Sequence, residues 1–321
     1  MNETTAQAIV EPPAPIRAKQ RLGDRVFSGT ALGAGLIILL VLAGVAVFLI
    51  IQSMPAFQAD TSNNHILRGE SFWPYVWPLV FGTLWASIIA LVVATPIALG
   101  IALFISHYAP RRLASALGYV VDLLAAVPSV VYGLWGGLVL APMLQPVYAW
   151  LNENLGWIPF FAGVVSPTGR TILTAALVLS VMIIPIMTAI SREVFLQTPT
   201  LHEEAALALG ATRWEMVRMA VLPFARGGMV SAAMLALGRA LGETMAVTMV
   251  LSPSAVVSFL LLTSTNPTPI PANIALAFPE AHGEGVNTLI ATGLILFIVT
   301  FAVNALARWI VARRAEFSGA N

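Results

Sequence analysis

The chain has 321 residues, 58% of them hydrophobic and only 10% charged, with a formal net charge of +1. Soluble globular chains carry about 25% charged residues, and several apolar runs here reach the roughly 20 residues a helix needs to cross a hydrocarbon core about 30 Å thick. An all-α integral membrane protein surrounded by lipid is therefore expected; the absence of cysteine excludes disulfides, thiolate catalysis and Cys-based metal sites, and no Lys/Arg-rich patch suggests nucleic acid as a partner.

Residues 1–26 are polar and proline-bearing, with Arg17, Lys19, Arg21 and Arg25 ahead of the first apolar run. Thr30–Ile51 then reads as a membrane helix, with outer bounds at 27–52. A cleaved signal peptide would have an apolar core of only about 7–15 residues. This run is longer and lacks a convincing small-residue cleavage site, so it reads as a retained helix. Further spans are expected at Leu79–Ser106, Leu123–Leu144 (with a start nearer Leu113 as the alternative), Thr171–Ile190, Gly227–Leu251 and Thr288–Ala312, six in all. Val256–Leu262 is a short apolar piece where a re-entrant segment would lie, and residues 315–321 form a C-terminal tail.

Basic residues accumulate in cytoplasmic segments. With the N-terminus inside, only Arg68 and Arg170 fall outside, Arg239 falls within the membrane, and every other basic residue falls inside. Both termini are thus expected in the cytoplasm. Trp73, Tyr75, Trp77, Trp150 and Trp157 would form an outer interfacial belt. Pro96, Pro128 and Pro185 interrupt three spans, where a proline removes a helical hydrogen bond and kinks the helix.

The longest inside loop is 191–226. Thr200 with Glu203, and Thr212 with Glu215, each fit a capping box, in which hydroxyl and carboxylate satisfy the first free N–H groups of a helix. Gly210 suits the left-handed residue after a helix end, and Pro223 is expected to stop the second helix. The first helix would expose Leu201, Ala205, Ala206 and Leu209 beside Glu203 and Glu204. Two readings are open: a short helix that enters a groove on another protein, or one that lies at the membrane interface against its own bundle.

Arg239 lies 13 residues beyond Arg226, about 20 Å at 1.5 Å per residue, near the bilayer centre. A charge there costs at least about 2.5–3.5 kcal/mol and needs a partner or a wet cavity. Glu243 at i+4 is placed to pair with it. One reading is a structural ion pair; the other is a pathway arginine that meets an anion, with Glu243 tuning it. Gly238 and Gly242 form a GxxxG step that admits another helix closely. Ser129, Tyr132 and Thr244 either line the pathway or serve helix packing, and Asp122 reads as a cytoplasmic-interface residue. Lys19, the only lysine, follows alanine rather than a glycine-rich loop, so the chain carries no phosphate cradle of its own. No HExxH pattern and no nucleophile–base set points to an intramembrane enzyme.

Glu204-Ala205-Ala206, then Gly210, then Leu222-Pro223 resembles the EAA loop of permease subunits in binding-protein-dependent ABC importers. Gly238-Arg239-Ala-Leu-Gly-Glu243-Thr-Met-Ala-Val247, Pro128-Ser129-Val-Val-Tyr132-Gly-Leu-Trp-Gly136 and Phe301-Ala-Val-Asn304-Ala-Leu-Ala-Arg308 are similar to the phosphate-specific branch, PstC type. The resemblance implies an ABC importer type I permease fold over 75–314, in the bacterial inner membrane, with a coupling loop at 198–223. It implies that Glu203, Glu204, Ala205, Ala206 and Gly210 meet an ATPase. Arg239, Glu243, Thr244, Ser129 and Tyr132 are the candidate pathway residues. The implied partners are a homologous permease (PstA type), two ATP-binding subunits (PstB type) and an external phosphate-binding protein (PstS type). No cofactor is expected on this chain; ATP and Mg would be used by the partner ATPase. Monohydrogen phosphate carries one donor proton and sulfate none, so Glu243 accepting that proton would disfavour sulfate. The alternatives are an ABC permease for another oxyanion, molybdate or sulfate, and an ion-coupled anion carrier using the charged pair as a proton relay.

Overall fold

The computed structural model describes residues 22–58, 64–67 and 69–315. Arg17, Lys19, Arg21 and Arg68, on which part of the orientation reading rests, lie outside these, as do the tails 1–21 and 316–321.

The chain divides into two compact units after Phe48. The described part of the first, 22–48, belongs to one continuous helix, α1 (Leu22–Gln58). Leu32, Leu36, Leu39 and Leu40 are all exposed on it. From 22 to 48 this helix is apolar on all sides and has no buried residue, which suits a lipid environment.

The second unit is helical apart from its loops. Its helices are α2 (Phe72–Leu103), α3 (Arg111–Ala125), α4 (Ser129–Trp135), α5 (Ala141–Leu155), α6 (Ile172–Leu196), α7 (Thr200–Ala208), α8 (Arg213–Met216), α9 (Leu222–Leu241), α10 (Met245–Val250), α11 (Ile270–Ala277) and α12 (Glu284–Ala315). π turns at Phe104–Tyr108, Gly136–Leu140 and Val217–Val221 extend α2, join α4 to α5 and join α8 to α9. Among the described residues, six stretches are long and apolar enough to cross a membrane: Leu22–Gln58, Phe72–Tyr108, Ser129–Leu155, Ile172–Leu196, Arg213–Leu241 and Glu284–Trp309. The count of six agrees with the sequence.

The third span is displaced from its expected position. Residues preceding proline avoid the helical region, and the chain breaks at Ala126–Val127 so that Pro128 precedes α4 rather than kinking a span. The apolar stretch before the break becomes α3, a separate helix. It turns Gly118 inward over the Arg192 guanidinium and leaves Tyr119, Asp122 and Leu123 exposed. Pro96 and Pro185 do lie inside helices, as expected.

The core forms where α2 runs along α6. Ala86, Ala90, Ala94, Ala98 and Ala102, every fourth residue of α2, are all 0–1% exposed. Such a stripe lets two backbones approach closely where lipid provides no hydrophobic drive. Ser180 of α6 donates towards Ala90 O (3.2 Å) and Thr188 towards Ala98 O (3.4 Å). Each interhelical bond of this kind contributes about 0.6 kcal/mol.

Beyond α10 the chain is extended from Leu251 to Pro269, without a helix at 256–262. Its two-residue strands, β1 (Pro253–Ser254) and β2 (Asn266–Pro267), pair in parallel with Pro253 opposite Asn266. Loop-to-loop bonds replace the re-entrant segment: Leu261 N–H donates to Phe160 O (2.9 Å), and Leu262 O accepts from Ser166 N–H (2.8 Å). Asn266, fully buried, ties this layer down: its Oδ1 accepts from Ile172 N–H (2.8 Å), and its Nδ2 donates to Arg170 O and Ser264 O (both 3.1 Å). Trp73, Trp77, Trp150 and Trp157 are exposed as the belt requires. Tyr75 is not: it is buried, and its hydroxyl accepts from Asn273 Nδ2 at 2.6 Å.

Candidate functional site

The loop after α6 folds locally as its caps dictate, with two departures. Thr212 Oγ1 accepts from Glu215 N–H (3.3 Å), and Glu215 Oε2 accepts from Thr212 N–H (2.8 Å), completing the expected capping box. Gly210 takes φ +85°, the left-handed conformation that glycine enters at least cost. The Thr200–Glu203 box does not form. Pro199 occupies the cap of α7, and Glu203 turns instead to His107, with Oε1 3.4 Å from Nε2. Ser106 Oγ lies 2.7 Å from the other ring nitrogen. Glu203 therefore joins α7 to the end of the second span, a pairing across 96 residues that no local pattern encodes.

Pro223 does not stop the second helix. The π turn at Val217–Val221 places it in the first turn of α9, and the helix runs on to Leu241. Wider i→i+5 pairing at a π turn shifts the hydrogen-bond register, and a proline is tolerated in a first turn because its missing N–H is not required there. Leu201, Glu204, Ala205 and Leu209 are exposed on or just past α7, and Ala206 packs beside Phe195, Met216 and Val217. One face of α7 is thus anchored and the other is open.

Twenty-nine residues of nearly continuous helix lead from Arg213 to Leu241. Near the far end Arg239 is half-buried, and its Nε is buried with no hydrogen-bond partner. It opens onto a cavity of about 790 Å³ between α6, α9 and α12, also lined by Ser231, Gly238, Asn304 and Arg308. The expected Arg239–Glu243 ion pair is not formed. The i+4 geometry fails because α9 ends at Leu241 and the chain turns at Gly242 (φ −92°, ψ 0°). Glu243 Oε1 instead accepts from Ala246 N–H (3.0 Å), in the first turn of α10. No carboxylate lines the cavity.

The other candidates gather where α4 packs on α10. Gly133 and Gly137 permit this approach: a Cβ at Gly133 would lie 2.8 Å from Ala246 Cα, and one at Gly137 2.8 Å from Met249 O. Tyr132 is buried, donates to Leu124 O (2.9 Å), and lies within electrostatic reach of Arg239. Ser129 and Thr244 are half-buried, and the Thr244 hydroxyl donates to Gly242 O (3.3 Å). Of the five pathway candidates, Arg239 alone lines the cavity. Gly238 has open space around it and Gly242 meets only Gly238 O, so among the described residues no other helix uses the GxxxG step. Sequence reasoning missed Ser231, Asn304 and Arg308 as neighbours of Arg239. The available signal was Asn304 and Arg308 at i, i+4, one face of α12.

A multi-pass helical bundle with an unpaired arginine open to an intramembrane cavity defines a membrane transport component. A family profile described as "Binding-protein-dependent transport system inner membrane component" matches residues 94–316, and the chain belongs to this family. It is 47% identical over 305 residues to "Phosphate transport system permease protein PstC 2" of Mycobacterium tuberculosis, covering 92% of this chain and 94% of that protein. It is 39% identical over 310 residues to "Phosphate transport system permease protein PstC" of Mesorhizobium japonicum, covering 93% of each. A solved structure of the MetNI methionine ABC transporter, in an inward-facing conformation, superposes with TM-score 0.46 at 19% identity, over 73% of this chain and 94% of that one.

Proposed function

We propose that this chain is the permease subunit of an ATP-driven phosphate importer, with Arg239 as the anion-binding group of its pathway. The observation that carries this is the state of Arg239: a cation inside the bilayer, facing a cavity, with its nearest candidate counter-ion committed to the α10 cap. Leaving a charge unpaired in a low-dielectric setting is costly, and a transient anion would relieve that cost at each cycle. A guanidinium offers a planar fork of donors suited to two phosphate oxygens at once. The names of the relatives supply the identity of the anion.

The open face of α7, carrying Glu204 and Ala205, is the surface offered to an ATP-binding subunit of the PstB type, with Gly210 setting the exit angle. Two such subunits, a second permease of the PstA type and an external phosphate-binding protein of the PstS type complete the assembly. The Gly238/Gly242 step would receive the second permease. Both termini are cytoplasmic in this reading, and ATP and Mg are used by the partner rather than bound here. Movement at α7 reaches Arg239 through the helix from Arg213 to Leu241.

The test is ATP-dependent uptake by the reconstituted complex, comparing phosphate with sulfate and molybdate. Arg239→Gln should lower phosphate uptake by at least tenfold, because one charge-assisted hydrogen bond contributes about 1.5–3 kcal/mol. Wild-type uptake by Arg239→Gln would refute the assignment. Uptake by this chain without any ATPase would indicate an ion-coupled carrier instead.

A further inference from the structure

Arg239 is not the only cation on its cavity. Arg308 of α12 lines the same space, with Asn304 one turn earlier on the same helix and Ser231 of α9 across from them. Among the described residues neither Arg308 nor Asn304 has a side-chain hydrogen bond or ion pair. The polar lining therefore carries two guanidinium groups, a carboxamide and a hydroxyl, and no acid. Two like charges lining one cavity repel each other, less strongly because Arg308 is exposed to solvent. An oxyanion beside either guanidinium would offset that repulsion and accept hydrogen bonds from its fork.

The arrangement has a direction. The cavity follows α9 from Val230 to Arg239, nine residues or about 14 Å. Spans built on α9 and α12 are consecutive and cross in opposite senses. The step from Asn304 to Arg308 therefore leads away from Arg239 and towards the Leu222 end of α9. Arg308 thus lies on the Leu222 side of Asn304, where an anion released by Arg239 towards that end of α9 would meet it.

We propose that Arg308 and Asn304 form a second oxyanion station, inward of Arg239, which receives phosphate as it leaves that residue. This rests on the reading of Arg239 as the anion-binding group of a phosphate importer. The recognised chemistry is a phosphoryl group with free oxygens, and the occupant is the free ion. A lipid headgroup carries the same group and is separated from it by the experiment.

The chain has no cysteine, so Ser231→Cys installs a single reporter thiol in it. The intact transporter, with any cysteines of its partner subunits replaced, is placed in vesicles of phosphatidylcholine alone or of phosphatidylcholine with phosphatidylglycerol. The rate at which an anionic thiol reagent modifies Cys at 231 is then measured against inorganic phosphate concentration. Phosphate is expected to slow the reaction equally in both lipids. Adding Arg308→Gln should raise the concentration for half-protection about tenfold, the loss expected for one charge-assisted contact, and Arg308→Lys should recover part of it. Lack of protection, protection unchanged by Arg308→Gln, or a rate that follows phosphatidylglycerol content rather than phosphate would each overturn the station. Arg239→Gln uptake separates this from failure of the parent reading. If that variant stops uptake while Ser231→Cys shows no protection, only the station falls. If it transports normally, the parent reading falls first.

Discussion

Glu243 caps α10, and a pair of substitutions can separate this cap from the proton-acceptor role expected of the same residue. Its Oε1 accepts from Ala246 N–H at 3.0 Å, and α10 is only six residues long. The first N–H groups of a helix have no partner within it, so this carboxylate satisfies a group that Glu243→Ala would orphan. Losing a capping acceptor costs about 1 kcal/mol, and losing a negative charge at a helix start adds about 0.3–1 kcal/mol. For a chain of a few hundred residues, 1 kcal/mol corresponds to about 2–4 °C in Tm. Glu243→Ala should therefore lower Tm by roughly 3–8 °C. Glu243→Gln keeps an oxygen in the same place and loses only the charge, so its shift should be less than half as large. If Glu243, which does not line the cavity, nevertheless reaches the anion, this substitution removes an acceptor for the proton of monohydrogen phosphate, and the ratio of sulfate to phosphate uptake should rise. Thermal unfolding in detergent at a fixed scan rate, paired with uptake of both anions in vesicles, reads both roles. A wild-type Tm for Glu243→Ala would refute the cap. Unchanged selectivity in Glu243→Gln would refute the proton-acceptor role.

Other outcomes follow from particular contacts. Asn266→Ala leaves Ile172 N–H and the carbonyls of Arg170 and Ser264 without their partner. Ile172 is buried, whereas Arg170 and Ser264 are exposed, so the one buried orphan should cost about 1–3 kcal/mol, and a variant with wild-type Tm would contradict the hub. Gly82→Ala places a Cβ 2.8 Å from Pro267 C and O; overpacking against backbone costs about 1–3 kcal/mol, and a loss below about 0.5 kcal/mol would show that the outer layer yields. Glu204→Lys alters an exposed residue of α7, so stability should change by less than about 0.5 kcal/mol. Retention of the ATP-binding subunit on purification should fall sharply, and unchanged retention would remove Glu204 from the coupling surface.

Much of the architecture is legible in the sequence because the relevant physics is local. Apolar length alone places six spans, since the bilayer demands about 20 apolar residues from any helix that crosses it. Gly210 and the Thr212–Glu215 box are equally local, each a hydrogen-bond problem solved within four residues. The alanine stripe of α2 is present in the sequence but not readable as a face, because the helix is apolar all round and periodicity yields no contrast. What only the tertiary structure decides is which distant groups meet. Thr200 had a plausible local cap, yet Glu203 pairs with His107 on the end of another span. Arg239 and Glu243 had ideal spacing, yet the turn at Gly242 aims them at different partners. Arg308 counted only as one of the basic residues falling inside, yet α12 sets it beside the cavity of α9. Local hydrogen bonding and burial in lipid are settled within a few residues, whereas the partner of a buried charge depends on how helices far apart in the chain pack together.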